Sequence, residues 1–217
     1  MYYKLFNDTK YYNLTNINHL DTLNNKHDIN IISFSNSQLT ELPKLPDNLK
    51  ILYCDFNLLT QLPELPDNLE YLDCDNNQLI QLPKLPDNLE YLNCKNNQLT
   101  QLHKLTQLTP NLKLFDCSYN QLTELPQLPD NLEYLSCHNN QLTQLLKLPP
   151  NLKIIKCYNN SKNLHKYIIH CKFLYIHKKY NKYRYITTLN ELLNYTIKKY
   201  YYLEIIKYYE KYYFYLI

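Results

Sequence analysis

The sequence predicts a repeat solenoid of the α/β type, with a parallel β-sheet on its concave face and an extended, irregular convex side. Near-identical units of 20 residues recur along the chain, and a short alternation of apolar and polar residues recurs inside each unit. After residue 160 the repeat ends and a basic, tyrosine-rich segment with a helical pattern begins. We therefore expect an N-terminal segment or cap at 1–26, a solenoid of about seven rungs at 27–160, and a mainly helical C-terminal segment at 161–217.

The repeat is clearest in two adjacent units, "LPELPDNLEYLDCDNNQLIQ" (62–81) and "LPKLPDNLEYLNCKNNQLTQ" (82–101). Six units have one cysteine each, and successive cysteines are 20, 20, 23, 20 and 20 residues apart: Cys54, Cys74, Cys94, Cys117, Cys137 and Cys157. A degenerate unit at 27–41 precedes them, with Phe34 in the cysteine position. The three extra residues of the longer unit are predicted to bulge out as a loop. A lone unit buries too little apolar surface to offset its ordering entropy, so the units must stack.

A strand is predicted at the centre of each unit. Leu52 and Cys54 alternate with Tyr53 and Asp55, which is the period of two that a β-strand requires. Stacking the units places these strands side by side in one parallel sheet, with the leucines and cysteines turned inward. The prolines of "LPxLP" exclude a regular helix from the returning segment and keep it extended.

The unit reads L-x-x-L-x-C-x-x-N-x-L-x-x-L-P-x-L-P, which resembles the leucine-rich repeat family over residues 27–160. The 20-residue length and "LPxLP" are similar to the short repeats of bacterial effectors. The Asn-, Tyr-, Lys- and Ile-rich composition also resembles that of uncharacterised leucine-rich repeat proteins of amoeba-infecting giant viruses. The resemblance implies an inward ladder of asparagine side chains bonded to the backbone: Asn57, Asn77, Asn97, Asn120, Asn140 and Asn160.

The recurring cysteines have four conceivable roles: core packing, disulfides, metal binding and catalysis. No C-x-x-C pair is present, which argues against a zinc site. Parallel side chains one strand apart suit disulfide torsions poorly, and no base recurs beside the thiol for nucleophilic catalysis. Packing as a small hydrophobe is the favoured interpretation. Cys171 lies outside the repeat and is unconstrained.

Residues between the inward positions should point outward on the concave face, in three columns. The first column is apolar or aromatic throughout, as at Tyr71, and rows of aromatic residues favour binding interfaces, although duplication of one unit would also repeat a tyrosine. The other two columns carry aspartates that could dock a basic partner; as an acid/base pair they would be too open to water. The predicted partner-binding residues are Ile51, Tyr53, Asp55, Tyr71, Asp73, Asp75, Tyr91, Asp116, Tyr134 and His138.

The composition excludes several classes of protein. The chain has no glycine, so phosphate-cradling glycine-rich loops are absent, and left-handed turn positions must fall to Asn and Asp. The N-terminal sequence has no apolar signal region, and the most apolar stretch, near the C-terminus, is interrupted by charges. We therefore expect an intracellular protein without a transmembrane helix.

Charge is unevenly distributed along the chain. Residues 1–157 carry 12 lysines and 17 acidic residues, a net charge of −5, whereas residues 158–217 carry 11 basic and 3 acidic residues, a net charge of +8. A helix is predicted after the capping pattern Thr188-x-x-Glu191. The basic segment could cover the last rung, bind nucleic acid or an anionic surface through interleaved lysine and tyrosine, or dock on the acidic repeats.

Together these features predict a non-catalytic, monomeric scaffold that binds a protein through its concave face. The partner is not identified by the sequence, and a host protein is the candidate that the resemblance to effectors implies. No catalytic residue, cofactor or metal is predicted. Binding of nucleic acid or an anionic surface through the C-terminal segment is the alternative. A truncated relative of the repeat-containing ubiquitin-ligase effectors is a third interpretation, but such a ligase domain is far longer than the sixty residues that follow the repeats.

Overall fold

The computed structural model describes residues 1–5, 11–14, 20, 22–24, 26–102, 108–145 and 148–161. The predicted C-terminal helix and the extra residues of the longer unit lie outside these described residues. Within them, nine strands form one sheet in the order β2-β1-β3-β4-β5-β6-β7-β8-β9. The strands are β1 (Tyr2–Leu5), β2 (Tyr12–Asn13), β3 (Ile29–Ser33), β4 (Ile51–Tyr53), β5 (Tyr71–Asp73), β6 (Tyr91–Asn93), β7 (Leu114–Asp116), β8 (Tyr134–Ser136) and β9 (Ile154–Lys156).

Strands β3 to β9 are parallel and in register, which confirms the predicted solenoid. Ile51 is paired with Tyr71 and Tyr71 with Tyr91, so one residue of each unit lies opposite its equivalent in the next. The register also holds across the 23-residue unit, where Asn93 is paired with Asp116. Among the described residues, no helix is long and apolar enough to cross a membrane.

The N-terminal residues extend the sheet with two antiparallel strands. Strand β1 pairs with β3, placing Tyr3 opposite Ile32, and β2 pairs with the other side of β1. The side chain of Tyr3 is buried, and its ring stacks on that of Tyr12 with centroids 5.3 Å apart. The β3 edge is thus covered by β1, and a 3-10 helix at Lys26–Asp28 leads directly into β3.

The core lies beneath the sheet and is built from the same positions in every unit. In the unit around β5, Leu69, Leu72, Cys74 and Leu79 are all fully buried. Leu65 is only half-buried, although the repeat predicts that it turns inward. Phe34 takes the cysteine position in the first rung and is fully buried there, as the alignment of the degenerate unit predicts.

The return segments of the described units contain no helix, in agreement with the prolines at these positions. Each "LPDNL" motif closes a tight turn before the next strand. In one of them the amide of Leu69 donates to the carbonyl of Pro66 at 3.0 Å. The Asn68 side chain then donates to the Asp47 carbonyl of the preceding unit at 3.2 Å, which ties neighbouring turns together.

The asparagine ladder is the principal polar structure of the interior. In Asn97, Nδ2 donates to the carbonyls of Cys74, Cys94 and Lys95 at 3.0–3.1 Å, and Oδ1 accepts from the amide of Leu79 at 2.9 Å. Cys74 and Leu79 belong to the preceding unit, so the side chain joins two rungs. The same pattern recurs at Asn57, Asn77, Asn120, Asn140 and Asn160.

The residue before each ladder asparagine has a positive φ of 49–53°. Asparagine occupies four of these six positions, as expected in a chain without glycine: Asn76, Asn96, Asn139 and Asn159. Asn36, before Ser37 in the first rung, has the same conformation with φ of 52°. Phe56 and Tyr119 depart from that expectation, with φ of 51° and 53°, and both are exposed. Such bulky residues are disfavoured in the left-handed region by roughly 1–2 kcal/mol.

We expect replacement of a ladder asparagine to destabilise the fold strongly. Asn97→Ala removes the partners of three carbonyls and one buried amide, and should lower the free energy of unfolding by at least about 3 kcal/mol in urea denaturation. Asn88→Ala is the control, because this exposed side chain makes a single bond to the Asp67 carbonyl. Equal losses in the two variants would contradict the importance given to the ladder.

Replacement of Phe56 should stabilise the protein. Phe56→Asn places a residue that tolerates positive φ at this exposed position, and should raise the free energy of unfolding by about 1 kcal/mol. Phe56→Ala removes the ring without relieving the backbone and should not reproduce the gain. Thermal denaturation of both variants tests this, and an equal melting temperature for the two would show that the backbone conformation is not the cause.

Candidate functional site

All ten predicted binding residues lie on the side of the sheet opposite the core, which we call the sheet face. It consists of three columns of side chains that run across the strands, typified by Tyr71, Asp73 and Asp75. Leu72 and Cys74 alternate with them and are fully buried on the other side. The pairing register aligns the first column through Ile31, Ile51, Tyr71, Tyr91, Leu114, Tyr134 and Ile154.

Three tyrosines form a continuous aromatic row on the sheet face, which we call the tyrosine ladder: Tyr53, Tyr71 and Tyr91. The rings of Tyr71 and Tyr91 are stacked, with centroids 3.9 Å apart and planes 6° apart. The ring of Tyr53 is tilted by 51° against Tyr71 at 5.1 Å. Burial raises the pKa of Tyr71, and a side-chain hydrogen bond with Tyr91 raises it further. These rings are neutral at physiological pH.

The first column is less exposed than the sequence suggested. Its members from Ile31 to Tyr134 are half-buried, and Ile154 in the last rung is exposed. The physical reason is the spacing of about 4.8 Å between strands, at which large side chains of neighbouring rungs cover one another. Tyr134 lies outside the tyrosine ladder, because Leu114 separates it from Tyr91. The Nζ of Lys156 lies 5.7 Å from the centre of the Tyr134 ring.

Three carboxylates lie beside the tyrosine ladder, and we call them the acidic cluster: Asp55, Asp73 and Asp75. Asp73 accepts hydrogen bonds from the side chain of Asn93 at 3.0 Å and from the amide of Asp75 at 3.3 Å. Asp75 accepts from the Asn76 side chain at 2.9 Å, and Asp55 accepts from the hydroxyl of Ser35.

Burial raises the pKa of Asp73 to about 6, and the charges of Asp75 and Asp55 add to the shift. Burial also raises the pKa of Asp75. No salt bridge among the described residues involves the acidic cluster. By contrast, the glutamates beside the sheet face have lysine partners at 2.6–2.7 Å: Lys50–Glu70, Lys113–Glu90 and Lys153–Glu133. The acidic cluster therefore concentrates negative charge without a contacting cation in this part of the chain.

Asp116 and His138 lie on the sheet face outside the acidic cluster, on neighbouring rungs. Asp116 is two strands from Asp73 and accepts from both the amide and the hydroxyl of Ser118, at 2.9 and 2.6 Å. His138 is buried and stacks on the ring of Tyr158 at 4.4 Å, with Tyr119 edge-on at 5.1 Å. Burial lowers the pKa of His138, so the ring is neutral at physiological pH.

Two aromatic residues near the N-terminus, Tyr2 and Tyr11, were not predicted from the sequence to lie near the tyrosine ladder. Tyr2 is paired with Ser33, which is paired with Tyr53, so the three share one row of the sheet. The ring of Tyr11 packs edge-on against Tyr2 at 5.0 Å, and the Nζ of Lys4 lies 5.4 Å from the centre of the Tyr11 ring. The alternation in "YYKL" was the available signal, since it is compatible with a strand.

The cysteines of the repeat are packed as free thiols, as the favoured interpretation holds. Five are buried and Cys157 is half-buried. In Cys74 the Sγ donates to the Asn93 carbonyl of the next unit at 3.3 Å, and burial raises the pKa of this thiol well above its ordinary value. In the described ranges, no three His, Cys, Asp or Glu side chains are grouped to hold a metal ion. Cys171 lies outside those ranges.

Three solved bacterial structures are similar to this chain. YopM from Yersinia enterocolitica WA-314 is 44% identical with a TM-score of 0.54, and covers 57% of this chain and 27% of its own. YopM from Yersinia pestis, described as a leucine-rich effector protein, is 42% identical with a TM-score of 0.59, and the match covers 66% of this chain and 40% of that protein. A Shigella effector leucine-rich repeat domain is 34% identical with a TM-score of 0.57, and the match covers 61% of this chain and 59% of that domain.

No protein-family model matches the sequence, and no curated protein matches it. The match to the solved structures shows the fold: the described part of the chain is a parallel-strand solenoid of about six turns that matches leucine-rich repeat proteins. The chain spans between about a quarter and three fifths of the length of the proteins named above. This fold is a repeat scaffold, consistent with interaction with other proteins.

The pKa of Asp73 leads to a prediction for stability. A free aspartate has a pKa of about 3.9. Between about pH 4 and 6 the folded chain therefore keeps a proton on Asp73 that the unfolded chain has released, so the free energy of unfolding falls as the pH rises through this window. Asp73→Asn keeps an oxygen acceptor without the charge. It should raise the free energy of unfolding at pH 7.5 by about 1 kcal/mol, after allowance for solvent screening, and leave it unchanged near pH 4.

Chemical denaturation at the two pH values measures this effect. Glu64→Gln is the matched control, since it removes one negative charge at an exposed site of the return segment. A gain in Asp73→Asn that is the same at both pH values would show that ionisation of Asp73 is not its cause.

Proposed function

We propose that this chain is a non-catalytic repeat scaffold that binds a protein partner through the sheet face. The observation that carries the proposal is the tyrosine ladder lying beside the acidic cluster on one face of the sheet. Tyrosine is enriched in protein interfaces because its ring offers a large apolar area and its hydroxyl a hydrogen bond. Half-buried rings held by their neighbours lose little conformational entropy when a partner covers them.

The dimensions of the sheet face suit a protein. Seven parallel strands about 4.8 Å apart extend for about 29 Å, which is comparable with one side of a standard protein interface. The solved structures that resemble this chain support the same interpretation, since two of them are described as effectors. By that analogy the partner is a host protein. The likeness to repeat proteins of giant viruses remains a prediction from composition, and the structures named above are bacterial.

Binding of nucleic acid or an anionic surface through the basic segment is the alternative from the sequence. That segment lies outside the described residues, and no observation of the structure favours it.

A capture experiment with surface variants tests the proposal. The immobilised full chain is compared with Tyr71→Ala/Tyr91→Ala/Tyr134→Ala in eukaryotic cell lysate, with captured proteins quantified by mass spectrometry. Proteins bound at the sheet face should fall at least tenfold in the variant, the loss of about 1.4 kcal/mol expected when central aromatic contacts are removed.

The control is Glu64→Ala/Lys84→Ala/Gln127→Ala, which changes three exposed residues of the return segments. This variant should capture the same proteins as the wild type. Circular dichroism establishes that both variants are folded. A folded tyrosine variant that captures the wild-type set unchanged would overturn the proposal.

A further inference from the structure

We infer that the partner segment recognised at the sheet face is an arginine-bearing peptide, whose guanidinium groups pair with Asp73 and Asp75 beside the tyrosine ladder. This inference rests on the proposed function and specifies the chemistry of its partner. The charge distribution of the described residues, the burial of the carboxylates and the arrangement of the rings support it.

The first support is charge complementarity. Around the sheet, Glu70, Glu90 and Glu133 are each neutralised by a lysine of a neighbouring rung at 2.6–2.7 Å. On the sheet face itself, Asp73 and Asp75 have only neutral hydrogen-bond donors, from Asn93, Asn76 and a backbone amide. The charge of Lys95 lowers the pKa of Asp75, against the effect of burial, without forming a salt bridge to it. The cluster therefore leaves negative charge available to an incoming cation.

The second support is that the acidic cluster works against folding. Burial and mutual repulsion disfavour ionisation of Asp73, so at neutral pH its charge lowers the stability of the folded chain. Side chains whose charge lowers the stability of the folded chain are typical of functional sites. A bound cation would offset the repulsion between the carboxylates and stabilise their ionised form.

The third support is the adjacent aromatic surface. A guanidinium stacks on aromatic rings and pairs with carboxylates in the same plane, which favours arginine over lysine. Tyr71 and Tyr91 cover one face of each other, whereas Tyr53 is tilted by 51° and leaves more of its ring open. An arginine between Tyr53 and the acidic cluster would satisfy both requirements.

A labelled ten-residue peptide of alternating arginine and serine is the probe, titrated with the full chain and followed by fluorescence anisotropy. Its control is the same peptide with citrulline in place of arginine, which keeps the shape and loses the charge. The wild type should bind the arginine peptide at least tenfold more tightly than the citrulline peptide. Equal binding of the two, or no binding of either, would overturn the inference.

Matched charge variants locate the binding. Asp73→Asn/Asp75→Asn should weaken binding of the arginine peptide at least tenfold. Glu70→Gln/Glu90→Gln removes the same number of charges outside the sheet face and should change binding less than twofold. Equal weakening in both double variants would show attraction to net charge alone and would overturn the inference.

Acidification provides an independent readout. Because Asp73 has a pKa of about 6 and must be ionised to pair with arginine, binding should weaken about fourfold between pH 7.5 and pH 5.5. Asp55, Asp75, Lys95, Asp116, His138 and Lys156 also titrate or carry charge on this face, so the single variant Asp73→Asn is measured in parallel. It should lose most of the pH dependence, and a dependence that persists unchanged would contradict the role of Asp73.

The capture experiment separates this inference from the proposed function. If the tyrosine variant loses its captured proteins and Asp73→Asn/Asp75→Asn retains them, the sheet face binds a partner that is not recognised through arginine. The proposed function then stands and the inference is overturned. Loss of the same proteins in both variants supports both.

Discussion

The asparagine ladder is the interaction on which the rest of this structure depends. Each ladder side chain satisfies backbone groups of two rungs, and so holds the chain where it leaves the strand and ties that rung to the one before. This attachment keeps successive strands in register at about 4.8 Å. At that spacing Tyr71 stacks on Tyr91, and Asp73 and Asp75 are crowded beside them. The properties of the sheet face thus follow from a polar network in the interior.

Much of the fold could be predicted from the sequence because it is encoded locally and repeated. The alternation around Cys54 predicts a strand, the 20-residue period predicts the register, and "LPxLP" predicts an extended return. The strands at Tyr2–Leu5 and Tyr12–Asn13 could not be predicted in the same way. They lie outside the repeat, and their place depends on the edge that β3 offers.

The candidate site was predictable in its composition and less so in its chemistry. Periodicity alone places Tyr71, Asp73 and Asp75 on the outer face. The stacking of the rings, the half-burial of the first column and the raised pKa of Asp73 arise between rungs, from side chains far apart in sequence. The positive φ of Phe56 was unexpected for a similar reason, since the same φ recurs at this position in every rung, whatever residue occupies it.

The 23-residue unit shows where this architecture absorbs variation. Its three additional residues leave Asn93 opposite Asp116, so the sheet passes through the insertion without a shift in register. The strand side of the solenoid and its return side can therefore vary separately. In-frame gain or loss of a whole unit would lengthen or shorten the sheet by one strand and leave the remaining columns aligned. For a gene built from near-identical segments, unequal recombination is then a direct route to sheet faces of different length, which point substitutions on the outer columns can afterwards diversify.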